Sequence, residues 1–328
     1  MDQAKLREIG IGEAITGFYA LRTRRKRDYE GKCYLIFEFG DSSGRIAGVY
    51  WGDDAVDVYN LLEKTEVVKI QGTTGEYRGK SQIKVNRIRP ARPDEFDFQQ
   101  LLPGPRTSQE DLAEHIQDII ESISNPHLRQ LLERIFNDGD FLPTFLSAPA
   151  GKLWHGAYIG GLAEHSVNVA AICDNAAGIF DLCHRDLLIS GAILHDIGKV
   201  EELAGKASLD YTIPGRLIGH IVLGERFVRR VIESIDNFPV KLADEISHMI
   251  VSHHGEGTMG SPIEPKTLEA SILHYADRLE SEANALSHVI DVQLPNGEVF
   301  SDWIRPIERH IYLEPYRTGS AEEGDSDA

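Results

Sequence analysis

The chain has 328 residues, 41% of them apolar and 26% charged, a balance that excludes a globally disordered polypeptide. No apolar run approaches the ~18 residues of a membrane span, and Met1-Asp2-Gln3-Ala4-Lys5 leads into no apolar stretch of the secretory kind. The formal net charge of −18 argues against a polyanionic partner for the whole chain, but residues 1–100 hold 17 Lys and Arg against 16 Asp and Glu, and the remainder 17 against 36. That split points to two domains with different partners. Cys33, Cys173 and Cys183 form no CxxC pair, so neither a disulfide framework nor a thiolate zinc site is expected, and the setting is reduced and cytoplasmic.

The first hundred residues read as strands. Apolar and polar residues alternate over Ala14–Leu21, Cys33–Phe39, Arg45–Trp51, Glu66–Gly72 and Ser81–Ile88. Turn residues separate them at Gly40-Asp41-Ser42-Ser43-Gly44 and Tyr77-Arg78-Gly79-Lys80, and Asp53–Leu62 is helical in pattern. Five strands with a helix between the third and fourth is the order of an OB-fold barrel. The segment resembles the OB-fold nucleic-acid-binding family through Ile15-Thr16-Gly17, Tyr34-Leu35-Ile36-Phe37, Gly44-Arg45-Ile46 and Val68-Lys69-Ile70-Gln71-Gly72.

Arg22-Thr23-Arg24-Arg25-Lys26-Arg27 puts five bases in six positions, and the strand spacing places it in the loop between the first two strands. Such a loop rims the groove of an OB-fold, where cations meet phosphates and aromatic rings stack on bases. Arg24, Arg25, Lys26 and Arg27 are therefore candidate substrate contacts, as is Tyr34. Tyr19, Tyr29, Phe37, Tyr50 and Trp51 are open to either role, stacking platform or barrel core.

Pro90, Pro93, Pro103, Gly104 and Pro105 break the periodicity, and Ser108 then caps a helix bearing Leu112, Ile116, Ile119, Ile120 and Ile123. Amphipathic helices follow at about 109–123, 126–137, 160–179, 186–197, 215–235, 240–254 and 266–289, an all-α pattern without strands. Most of the 13 histidines lie between His155 and His274. His195-Asp196 ends the apolar run Leu187–Leu194, and a carboxylate at the end of a buried helix needs a partner. His165, His220, His253, His254 and Asp277 lie near the apolar faces or ends of other helices. Singly, each is a hydrogen-bonded histidine or aspartate; jointly they are a donor set for a divalent transition metal.

The ordered set resembles the HD-domain superfamily of metal-dependent phosphohydrolases. The wording around it is closer still to the YhaM-type OB–HD exoribonucleases. The stretches are Gly160-Gly161-Leu162-Ala163-Glu164-His165-Ser166, His195-Asp196-Ile197-Gly198-Lys199-Val200, Gly219-His220-Ile221, Ser252-His253-His254-Gly255, Gly260-Ser261-Pro262 and Leu273-His274-Tyr275-Ala276-Asp277. The resemblance implies that Asp196 bridges two divalent ions, that His165, His195 and Asp277 complete one site, and that His220, His253 and His254 complete the other. It places His155 beside the site. Adjacent helical residues point ~100° apart, which weighs against His253 and His254 sharing an ion. Lys199, four residues beyond His195, is placed to meet a phosphate oxygen, the alternative being a solvated cation near a helix end.

The organisation expected is multi-domain. An all-β OB-fold nucleic-acid-binding barrel over 1–92 is followed by a linker over 93–108, an all-α HD domain over 109–316 and a disordered acidic tail over 317–328. The resemblance implies a cytoplasmic, homo-oligomeric 3′-5′ exonuclease on single-stranded RNA or DNA that releases nucleoside 5′-monophosphates. Nitrogen-rich ligands favour Mn²⁺, with Fe²⁺, Co²⁺ and Mg²⁺ as alternatives. Two rivals stand beside it: an HD phosphohydrolase of a cyclic dinucleotide or nucleoside triphosphate, and a non-catalytic RNA-binding protein. No nucleophile elbow is present, since the one GxSxG spacing, Gly40-Asp41-Ser42-Ser43-Gly44, falls in a turn between two strands and not between a strand and a helix, and no GxxxxGK[ST] motif occurs, against serine hydrolysis and P-loop ATP use.

Overall fold

Alternation in the first ninety residues resolves into five strands, β1 (Ala14–Tyr29), β2 (Lys32–Asp41), β3 (Gly44–Tyr50), β4 (Val67–Tyr77) and β5 (Lys80–Pro90), with α1 (Ala55–Leu61) between β3 and β4. The computed structural model describes residues 5–317 except 7, 64, 78, 93, 97–100, 102–106, 152–157, 205–209, 295–296 and 305–306. His155, much of the linker and the acidic tail from residue 318 lie outside the described residues.

The strands close into a barrel in the order β1-β2-β3-β5-β4. Neighbours are antiparallel except β3 and β5, which run parallel. Tyr19 and Leu21 of β1, Leu35, Phe37 and Phe39 of β2, Val68 and Ile70 of β4, and Ile83 and Val85 of β5 fill the interior. Each such burial contributes about 1.5–3 kcal/mol relative to exposure. Val58 and Leu62 seat α1 on the same core. At the β2–β3 turn, Asp41 Oδ1 accepts from the Ser43 and Gly44 amides at 2.8 and 3.1 Å.

The basic run is strand, which corrects its expected place in a loop. Arg24, Arg25, Lys26 and Arg27 pair with Phe37, Ile36, Leu35 and Tyr34 of β2. The turn is only Glu30-Gly31, with φ of 49° and 79°. Two successive left-handed residues match the twist of a tight hairpin, and glycine takes that conformation without a Cβ clash. The ribbon runs beyond the part of the barrel that needs an apolar face, so its charge did not announce a strand.

The helical part comprises α2 (Gln109–Ser122), α3 (Pro126–Phe136), α4 (Phe141–Ser147), α5 (Gly161–Ala177), α6 (Arg185–Leu194), α7 (Lys199–Glu202), α8 (Ile213–Leu217), α9 (His220–Glu233), α10 (Val240–Ser252) and α11 (Leu268–Gln293). Ser108 caps α2 by accepting from the Asp111 amide, and Asn125 caps α3 ahead of Pro126. Leu131, Leu162, Leu188, Ile193, Ile246 and Leu273 lie in the shared core.

Three features differ from the expected pattern. The helix expected over 215–235 is broken into α8 and α9 at Ile218-Gly219. The short α4, with Pro143 inside it, was not foreseen; Phe141 and Phe145 anchor it to Phe136. A two-stranded ribbon, β6 (Leu203–Ala204) and β7 (Asp210–Tyr211), interrupts the helices and is too short to show as alternation.

Candidate metal centre

Six donors are delivered by helix ends and one-sided helix faces. Every residue of α6 from Leu187 to Leu194 is buried, so the chain is held rigidly up to His195 and Asp196, which are 0% and 1% exposed. α5 turns His165 inward, and α11, packed on α5, supplies Asp277. α9 begins at His220, and α10 ends at Ser252 with His253 next. The turn after Asp196 abuts the start of α9 so tightly that a Cβ on Gly198 would stand 2.0 Å from the His220 carbonyl oxygen and 2.5 Å from the Gly224 nitrogen.

Asp196 lies at the middle. Its Oδ2 is 3.5 Å from His165 Nε2 and 3.3 Å from His195 Nε2, while Asp277 Oδ1 is 3.2 Å from His165 Nε2. Its Oδ1 is 3.4 Å from His220 Nε2 and 3.5 Å from His253 Nε2. One carboxylate thus turns each oxygen to a different pair of imidazoles. Donor atoms of His165, His195 and Asp277 lie within 4.8 Å of one another, as do those of Asp196, His220, His253 and His254. His253 keeps helical backbone angles as the C-cap of α10, yet its ring and that of His254 have centroids 4.3 Å apart, so the offset between neighbours does not carry the two rings away from each other.

The far nitrogens of His165, His195, His220 and His253 are all spoken for. Nδ1 of His195 donates to the Ala192 carbonyl and Nδ1 of His253 to the Ile250 carbonyl, both at 2.7 Å. These are carbonyls that the last turn of a helix leaves free, and since a carbonyl only accepts, Nδ1 carries a proton and Nε2 is the nitrogen turned toward Asp196. His165 Nδ1 meets Glu280 Oε2 at 2.5 Å, and His220 Nδ1 meets Glu202 Oε1 at 3.0 Å. Oriented imidazoles with their second nitrogen bonded are what metal ligation requires. Asp196 Oδ1, His220 Nε2 and His253 Nε2 are buried yet have no hydrogen-bond partner within the protein. Such orphaned atoms cost free energy unless a ligand satisfies them, so this donor set fits a divalent cation, and His165, His195 and Asp277 form a second candidate group.

Charge is balanced accordingly. Burial alone raises a carboxyl, but Lys199 and His195 beside Asp196 hold it well below the usual carboxylate range. Burial opposes protonation of His165, yet Asp196, Asp277 and Glu280 around it outweigh that and raise it well above the ordinary histidine value. His253, buried with less compensation, is lowered.

Lys199 is buried, not solvated: its Nζ contacts Asp196 Oδ2 at 2.5 Å, and the Asp196 charge outweighs burial and keeps it protonated. Glu202 and Glu280 were missed by sequence reasoning. Their only signal was position, three residues after Lys199 and Asp277 respectively.

On the barrel, the candidate contacts separate. Arg24 lies 4.2 Å over the Tyr59 ring and donates to the Tyr59 and Glu63 carbonyls at the end of α1, so it is engaged within the fold. Lys26 lies 5.8 Å from the same ring. Arg25 and Arg27 are on the opposite strand face and exposed. Tyr34, opposite Arg27, stacks on Trp51 with ring centroids 4.2 Å apart, and Tyr29 meets Trp51 edge-on. Tyr19, Phe37 and Tyr50 are barrel core.

A closed five-stranded barrel joined to helices that gather His, His-Asp, His, His-His and Asp defines an OB–HD protein. Residues 162–282 match the HD domain family, and residues 21–91 match the OB-fold nucleic acid binding domain family. The chain is 30% identical over 314 residues to the 3′-5′ exoribonuclease YhaM of Shouchella clausii (strain KSM-K16), covering 94% of this chain and 96% of that one. It is 32% identical over 291 residues to the YhaM of Bacillus pumilus (strain SAFR-032), covering 87% and 89%. The chain belongs to the YhaM 3′-5′ exoribonuclease family.

Among the described residues no helix is long and apolar enough to cross a membrane.

Proposed function

We propose that this chain is a metal-dependent 3′-5′ exonuclease that hydrolyses single-stranded RNA, or single-stranded DNA, to nucleoside 5′-monophosphates. The observation that carries this is the division of Asp196, one oxygen toward His165 and His195 and the other toward His220 and His253. In this reading Asp196 bridges two cations, His165, His195 and Asp277 complete one site, and His220, His253 and His254 the other. Mn²⁺ suits the imidazole-rich set, ahead of Fe²⁺, Co²⁺ and Mg²⁺. When bound, such ions supply a water of lowered pKa and neutralise charge on the phosphate.

The chain's own residues do the rest. Lys199, in contact with Asp196 Oδ2, can offer N–H donors to a phosphodiester oxygen, and as a buried, preorganised charge it acts strongly there. Outside the helical domain, Arg25 and Arg27 meet backbone phosphates while Tyr34 and Trp51 stack on bases, a sequence-tolerant mode suited to RNA decay. Residues 1–92 are the binding domain, 93–108 the linker and 109–316 the hydrolase domain. The three cysteines are free, which suits a reducing cytoplasm. The implied homo-oligomer is part of the same proposal.

Metal-loaded protein incubated with end-labelled RNA, a cyclic dinucleotide and a deoxynucleoside triphosphate tests it. Early release of label from the 3′ end, as a nucleoside monophosphate, is expected. Hydrolysis confined to either small nucleotide would move the chain to another branch of HD enzymes, and hydrolysis of none would leave an RNA-binding protein.

A further inference from the structure

Each half of the centre has one imidazole braced by a backbone carbonyl and one braced by a buried carboxylate: Glu280 behind His165, Glu202 behind His220. The two carboxylates are not equivalent. Glu202 Oε1 also accepts from the His220 backbone amide at 3.0 Å, at the first residue of α9, so it caps a helix as well as holding a ring. Among the described residues Glu280 makes no such backbone contact. Its Oε2 is given to His165, and its Oε1 accepts from Asn168 Nδ2 at 3.1 Å and Asn284 Nδ2 at 3.3 Å. It is 6% exposed, on α11 three residues after Asp277.

We propose that Glu280, fixed by Asn168 and Asn284, is a positioning residue that orients His165 and strengthens it as a ligand, so that it governs cation affinity at the His165–His195–Asp277 site and not at the other. The inference rests on the two-cation reading above. Physically, an anionic acceptor on Nδ1 does two things. It keeps one proton on Nδ1, so that Nε2 is the nitrogen left for a cation once the ring is neutral, and it pushes electron density toward that nitrogen. The two amides remove the alternative in which Glu280 rotates away. A buried carboxylate with three donors on it is otherwise an expensive way to fill space in a helix interface.

The test is a Mn²⁺ titration of metal-free protein, followed by the electron paramagnetic resonance signal of free Mn²⁺, on wild type, Glu280→Gln and Glu280→Ala. Glutamine keeps the volume and can still accept from His165, so folding is preserved while the charge is lost. Wild type is expected to take up two ions. In Glu280→Gln one of the two dissociation constants should rise roughly 10-fold, toward the upper part of the ~10–100-fold range typical of such outer partners in Glu280→Ala. The other constant should stay within twofold. A smaller change at both sites in Glu280→Gln, or an equal loss at both, overturns the proposal while leaving two-ion binding intact. Wild-type uptake of fewer than two ions would overturn the two-cation reading itself. A purely structural Glu280 would lower the melting temperature of the metal-free variant and leave both constants in place.

Discussion

Gly198 and His220 touch backbone to backbone: the space a Cβ on Gly198 would need is filled by the His220 carbonyl oxygen, 2.0 Å away. Neither partner is the flexible tip of a side chain, so the clash cannot be relieved by a rotamer change. Gly198→Ala should therefore cost at least about 1–3 kcal/mol, the usual range for overpacking. It should also shift His220 out of register with Asp196. Denaturant unfolding together with bound-metal stoichiometry checks this; a variant of wild-type stability that holds both ions would refute it.

Asp196→Asn should abolish hydrolysis and reduce the metal content, because a single carboxylate faces both imidazole pairs. RNA affinity should change little if the barrel face makes the proposed backbone contacts. The substitution leaves Lys199 buried without its counter-charge, and breaking a buried pair this way costs about 3–5 kcal/mol. Pairing it with Lys199→Met should recover part of that loss. Calorimetry of the single and double variants is the measurement.

Lys199→Ala should lower kcat by about 10²–10³, the cost of losing one preorganised donor to developing charge. Metal content should hold. Steady-state kinetics with a short oligoribonucleotide decides the matter, and an unchanged kcat would confine Lys199 to balancing Asp196.

The barrel substitutions should divide by strand face. Binding to single strands weakens with salt at a slope of about −0.7 per neutralised phosphate, so Arg25→Ser with Arg27→Ser should flatten the slope by roughly 1–1.5 units. Trp51→Ala should cost about 1–3 kcal/mol through lost stacking. Arg24→Ser should leave the slope nearly unchanged and lower thermal stability, because Arg24 is bound to Tyr59 and Glu63. If Arg24→Ser flattens the slope as much as the Arg25 and Arg27 pair, the division is wrong.

Metal uptake should release protons. In the metal-free protein His165 is raised well above its ordinary value, burial being outweighed by Asp196, Asp277 and Glu280, so it carries a proton at neutral pH. A cation needs that nitrogen bare. Affinity should accordingly fall as pH drops and rise toward the His165 pKa. Titration calorimetry in buffers of differing ionisation enthalpy reads the proton count directly, and a count of zero at pH 7 contradicts this charge state.

Much of the centre was legible in the sequence because its donors are chemically rare side chains at rare places. His195-Asp196 after the largely apolar run Leu187–Leu194, and His253-His254 at a helix end, are hard to place in a core without a purpose. Glu202 and Glu280 were illegible for the opposite reason. A glutamate on a helix is ordinary, and only the packing of α11 on α5 reveals that this one backs His165. The misplaced basic run has a local cause: Glu30-Gly31 closes a hairpin in two residues, where a longer loop was inferred from the gap between the alternating segments Ala14–Leu21 and Cys33–Phe39. α4 escaped because seven residues with an internal proline carry too little periodicity, while its rings declare themselves only against Phe136.

His195 and His253 each borrow their orientation from a carbonyl three residues back in the same helix. Ligand and brace therefore share one turn, and unwinding that turn removes both together. Fraying at the ends of α6 and α10 competes directly with cation binding, so an ion at a hundred times its dissociation constant would hold those turns closed by about 2.7 kcal/mol. Bound there, cations would act as stitches at two helix ends. Slowed amide exchange in those turns would report occupancy of the centre in a protein that is catalytically idle.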